Sequence, residues 1–155
     1  MLVRNAMSKK VVSLKVHDTL ETALSKLVKH DISGAPVVDE KNHVIGLVTE
    51  SDIIGAIDAY NPKIHYDSDT GFAVILAVLK HKERFDAIKK EIIGSEKMLV
   101  EDFMEKDIVT IEPEKPISEA ARLMNKFKVK RLPVVKNKKL IGIISRADII
   151  RALGK

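Results

Sequence analysis

The chain has 155 residues, 45% hydrophobic and 32% charged, which suits one compact unit or two small repeats and excludes a disordered chain. Lys and Arg number 27 against 22 Asp and Glu, a formal net charge of +5 spread along the sequence, so an anionic partner is permitted but none is singled out. Cysteine is absent, which removes disulfides, thiolate catalysis and cysteine zinc sites, and 4% aromatic content leaves little for stacking single-stranded nucleic acid.

In chain order, the apolar residues 11–14 suggest a first strand. Leu20, Ala23, Leu24 and Leu27 then recur at helical spacing, with Asp18 and Glu21 spaced as a capping box. Residues 35–38 and 44–48 read as two strands around a polar turn, and a second helix begins near Ser51. Asn61, Pro62 and residues 67–71 read as loop; residues 72–93 read as a long helix, apolar nearly all round at its start, which needs a buried partner. From Leu99 the pattern returns: a strand at 108–111, a helix with Pro116 at an early position and Ile117, Ala120, Ala121 and Met124 on one face, strands at 132–135 and 140–144, and a helix from about Ala147.

The two halves are an internal repeat. LVRNAMSKKVVSL from Leu2 reappears as LVEDFMEKDIVTI from Leu99, and the offset is 97 at Val38/Val135 but 96 at Val44/Leu140. The missing residue falls in the turn between two strands, where length changes are tolerated. The domain reading is therefore repeat 1 at 1–57, an insertion at 58–98 and repeat 2 at 99–155. Two β-α-β-β-α units in succession place the chain in the mixed α/β class, of α+β type.

Each repeat carries a Gly, two apolar residues, a hydroxyl and then an acid three positions on: Gly46, Thr49 and Asp52; Gly142, Ser145 and Asp148. The geometry has two readings. Thr49 or Ser145 can cap a helix with Asp52 or Asp148 at its third position. Equally, a helix N-terminus suits a phosphate and the carboxylate can accept both hydroxyls of a ribose, which together spell nucleotide.

The paired Pro-Val-Val and Gly-x-x-[Ser/Thr]-x-x-Asp motifs, repeated in order, resemble a tandem of cystathionine-β-synthase-type (CBS) domains, the Bateman module. That resemblance implies two repeats packed through their sheets about a pseudo-twofold axis. It also implies non-catalytic sensing of adenosine derivatives (AMP, ADP, ATP or S-adenosylmethionine) in two clefts. One cleft would use Asp148, Ser145, Arg146, Arg131, Lys130 and Pro133, framed by Val12, Ser13, Ile32 and Ser33. The other would use Asp52, Thr49 and Ser51, opposite Val109, Thr110, Val129 and Lys130. Gly34 stands where the second repeat has Arg131, and Glu50 where it has Arg146. The Asp52 cleft is therefore expected to prefer an adenosine with little phosphate, or to stay empty.

Other constellations are weaker. Asp67 and Asp69 look like paired phosphoryl-transfer aspartates but follow no buried strand, and capping of the inserted helix explains them better. The five histidines have no ligand spacing, so no metal site is expected. The expectation is a ligand-sensing protein without catalytic residues, acting on a separate protein effector. It is expected to be a homodimer through residues 72–79, cytoplasmic, and without a membrane segment. A nucleic-acid-binding role is the alternative, disfavoured by the scatter of basic residues.

Overall fold

A computed structural model describes residues 1–60 and 98–154. Among them the chain runs α1 (Val3–Ala6), β1 (Leu14–Lys15), α2 (Leu20–Lys29), β2 (Gly34–Val38), β3 (Val44–Thr49) and α3 (Glu50–Tyr60). After the insertion come α4 (Val100–Phe103), α5 (Ile117–Lys126), β4 (Arg131–Lys136), β5 (Lys139–Ser145) and α6 (Arg146–Leu153). The fold is mixed α+β, with a three-stranded sheet ordered β1-β2-β3 and a two-stranded antiparallel sheet of β4 and β5. The long helix read at 72–93 lies outside the described residues.

Two expected strands are smaller than their apolar runs. The first is confined to Leu14 and Lys15. The second reduces to one parallel bridge, Ile111 to Val134, held by Ile111 N–H to the Pro133 carbonyl at 3.1 Å and Val135 N–H to the Ile111 carbonyl at 2.9 Å. The capping box read at Asp18 and Glu21 is also corrected. Thr19 is the N-cap of α2 and accepts from the Thr22 N–H at 3.1 Å. Asp18 is occupied one turn earlier, accepting from the Lys15 N–H at 2.9 Å.

The chain divides into two compact units, each drawing on both repeats. Unit one comprises Met1–Ser13, Pro36–Gly46 and Lys106–Lys155; unit two comprises Leu14–Ala35 and Leu47–Glu105. In unit one Val3 donates its N–H to the Lys115 carbonyl at 2.8 Å, and Ser8 exchanges two bonds with Ile143, at 2.9 and 3.0 Å. The same pattern recurs in unit two, where Val100 donates to the Asp18 carbonyl at 2.8 Å and Glu105 exchanges two bonds of 2.9 Å with Leu47. Thus the arm that opens each repeat is bonded to elements of the other. These bonds also satisfy N–H groups that one-turn helices such as α1 and α4 leave open.

The core of unit one gathers Val3, Ile111, Ile117, Ala120, Met124, Leu132, Val134, Ile144 and Ile149. Alternation along β4 and β5 points Leu132, Val134 and Ile144 inward, and the 3.6 spacing of α5 does the same for Ile117, Ala120 and Met124. Buried side chains of unit two include Leu14, Leu20, Leu24, Leu27, Val48, Ile53, Ile57 and Val100. Burying one such side chain contributes about 1.5–3 kcal/mol.

Candidate functional site

In unit one, β5 ends at Ser145 and α6 starts immediately after it. Ser145 is the N-cap, its Oγ accepting from the Asp148 N–H at 3.2 Å. In return Asp148 Oδ2 accepts from the Ser145 N–H at 2.7 Å and from its hydroxyl at 2.6 Å. The other carboxylate oxygen, Oδ1, accepts from Arg151 Nη2 at 2.5 Å. Burial alone would raise the Asp148 pKa, but the hydrogen bonds from Ser145 and the Arg151 guanidinium outweigh it and hold the carboxyl below its ordinary value. Asp148 is only 8% exposed, so this ionised group is kept by its partners rather than by water.

The adjoining residues come from the start of β4. Arg131 pairs with Ser145 across the ladder, and Pro133, buried, lies opposite Ile143. The Arg146 N–H bonds to the Lys130 carbonyl at 3.1 Å. Lys130, Arg131, Ser145, Arg146 and Asp148 are therefore neighbours on one strand–helix junction. Lys130 and Arg146 are exposed.

Unit two repeats the construction at the end of β3. Asp52 Oδ2 accepts from the Thr49 N–H at 2.8 Å and from its hydroxyl at 3.0 Å. The Glu50 N–H bonds to the Ser33 carbonyl at 3.2 Å, which brings Ile32 and Ser33 beside Thr49 and Asp52. Ser51 is exposed on the first turn of α3.

The remaining predicted residues also lie in unit one. Val109 and Val129 pack against its core. Val12 and Ser13 are half-buried in the segment that ends the opening arm. Thr110 lines a separate cleft of about 580 Å³ with Asp39, His43, Glu112, Asn137 and Lys138, at the turns of the two hairpins.

Three contributors were not read from the sequence. Arg151 lies one turn beyond Asp148, a spacing at which helical side chains meet, and that was the available signal. Asp31 and Lys128 hold positive φ, 51° and 56°, after α2 and α5. There the Ile32 and Val129 N–H groups reach back to the Leu27 and Met124 carbonyls, each at 3.0 Å. This is a Schellman closure, and it aims Ile32–Ser33 and Val129–Lys130 at their junctions.

The family model for the CBS domain matches residues 3–59 and 100–155, and the chain belongs to the CBS-domain family. A relative, protein MJ1426 of Methanocaldococcus jannaschii, is 32% identical over 154 residues, covering 99% of this chain and 91% of its own. The CBS domain pair of protein MJ0100, solved in complex with 5′-methylthioadenosine and S-adenosyl-L-methionine, matches with a TM-score of 0.72 at 22% identity, over 99% of this chain and all of that one. CBSX2 in complex with AMP matches with a TM-score of 0.69 at 24% identity, over 98% of this chain and 95% of that one. At these identities the two structures speak to the fold. The chain spans 42% and 57% of the length of two longer curated relatives. Among the described residues no helix is long and apolar enough to cross a membrane, and no group of three acidic, histidine or cysteine side chains could hold a metal ion.

Proposed function

We propose that the chain is a non-catalytic regulatory protein that senses an adenosine derivative at its two strand–helix junctions. The observation that carries this reading is the duplicated junction itself in a member of the CBS family. Each places a half- or fully buried carboxylate, fixed through one oxygen by a Thr or Ser cap, beside the start of a helix. A carboxylate so fixed suits the ribose diol, and helix N–H groups with a cationic side chain suit a phosphate. Arg131 and Arg146 supply cations at the Asp148 junction; Gly34 and Glu50 supply none at Asp52. We assign Asp148 and Asp52 to ribose, Ser145, Thr49 and Ser51 to the helix-start contacts, and Lys130 and Arg131 to phosphate. Val12, Ser13, Ile32 and Ser33 are assigned to the adenine, and Val109, Thr110, Val129 and Pro133 to further ligand contacts.

The ligand class is AMP, ADP, ATP or S-adenosylmethionine; the complexes of CBSX2 with AMP and of the MJ0100 domain pair with S-adenosyl-L-methionine support the first and last. Output passes to a separate protein effector in the cytoplasm. Dimerisation through residues 72–79 belongs to the same proposal, and those residues lie outside the described ones. A thermal-shift panel of adenosine, AMP, ADP, ATP and S-adenosylmethionine, with GMP as control, tests the class. A ligand at a hundred times its Kd stabilises the native state by about 2.7 kcal/mol. Adenosine compounds are expected to raise the melting temperature and GMP to leave it unchanged; a flat response to the whole panel overturns the reading.

A further inference from the structure

We propose that Arg151 makes the two junctions unequal, competing with the ribose for Asp148, whereas Asp52 has no such competitor among the described residues. This rests on the reading of the junctions as nucleoside sites. At both junctions Oδ2 is saturated, taking one backbone N–H and one hydroxyl: from Ser145 at 2.7 and 2.6 Å, and from Thr49 at 2.8 and 3.0 Å. A ligand therefore meets Oδ1. A carboxylate oxygen has two lone-pair sites. At Asp148 one of them is filled by Arg151 Nη2 at 2.5 Å. At Asp52 Oδ1 has no partner among the described residues, and the position that answers to Arg151, at the offset of 96, is Gly55. Asp52 can thus accept both hydroxyls of a vicinal diol, whereas Asp148 accepts one until Arg151 lets go.

The competition attenuates binding without abolishing it. The Arg151 side chain is 71% exposed, so its guanidinium can exchange Asp148 for water, while Ser145 continues to hold the buried carboxylate through Oδ2. With Arg151 exposed and Asp148 buried, the competition is expected to change an equilibrium constant about two- to fivefold. A nucleoside without phosphate, which gains nothing from Arg131 or Arg146, consequently fills the Asp52 junction first. Gly55 is exposed and a Cβ on it meets nothing within 4 Å among the described residues, so a side chain can leave the helix there.

The test is a reciprocal exchange in the full chain, read by titration calorimetry with adenosine. Asp52→Ala isolates the Asp148 junction, and adding Arg151→Ala to it is expected to tighten adenosine about two- to fivefold. Asp148→Ala isolates the Asp52 junction, and adding Gly55→Arg is expected to weaken adenosine by a similar factor. Melting curves establish that each variant is folded, and Arg151→Gln replaces Arg151→Ala if the latter is not. Unchanged or weaker binding on loss of Arg151, in a protein whose wild type binds adenosine, overturns the proposal. Absence of adenosine binding by wild type overturns the site reading itself and this proposal with it.

Discussion

Gly142 illustrates how a single residue of the repeated motif is dictated by packing as well as by the site. A Cβ at this position would lie 2.6 Å from Met7 Sδ and 3.1 Å from the Ser8 carbonyl oxygen. Ser8 comes that close because it exchanges two backbone hydrogen bonds with Ile143, the next residue of β5. The Met7 thioether can swing aside; the carbonyl is fixed by those bonds. Gly142→Ala is expected to cost about 1–3 kcal/mol, read as a lower urea midpoint at unchanged slope. Adding Met7→Ala should recover part of the loss. A Gly142→Ala protein as stable as wild type would contradict so close an approach of the arm.

At the scale of elements, the helix ends carry the most information. Asp31 and Lys128 occupy the left-handed position after α2 and α5, where glycine is the ordinary choice. An L-residue pays about 1–2 kcal/mol for that conformation, with Asp tolerating it better than Lys. Lys128→Gly is therefore expected to raise stability by about 0.5–1 kcal/mol, since the unfolded chain gains some freedom in return. Asp31→Gly should gain less. Melting curves check both, and a destabilised Lys128→Gly would show that its side chain has a role the backbone does not explain. These closures were not legible in the sequence because neither helix is followed by glycine. Helix periodicity was legible: Leu20, Ala23, Leu24 and Leu27, like Ile117, Ala120 and Met124, are all buried. The hairpins were legible too, and the residue lost from the second one shortens its turn to Asn137 and Lys138, both at positive φ. Spacing alone misplaces the cap of α2, because it cannot tell that Asp18 is already committed to the Lys15 N–H. The helices α1 and α4, four residues each, are too short for any period to register.

At the scale of the molecule, repetition was plain from the sequence, but the exchange of arms was not. Val3 belongs to the core of the unit built around the second repeat, and Val100 is buried in the unit built around the first. No local pattern states which repeat an arm will join, because Leu2 and Leu99 open nearly the same motif. The candidate site was legible in its anchors, Thr49, Asp52, Ser145 and Asp148, since a hydroxyl and an acid three residues apart mark a capped helix start. It was not legible in Arg151, whose role depends on which oxygen of Asp148 the cap leaves over. The central claim is that the capped carboxylates bind ribose as well as closing their helices. Titration calorimetry of AMP and adenosine against wild type, Asp148→Ala and Asp52→Ala measures it most directly. Loss of a charge-assisted hydrogen bond to the ribose is worth roughly 1.5–3 kcal/mol, or about ten- to a hundredfold in affinity. The account predicts that each variant, still folded, loses one binding event by that factor and keeps the other. Variants that lose only the stability of a cap, about 1 kcal/mol, and bind every ligand as wild type does would contradict it.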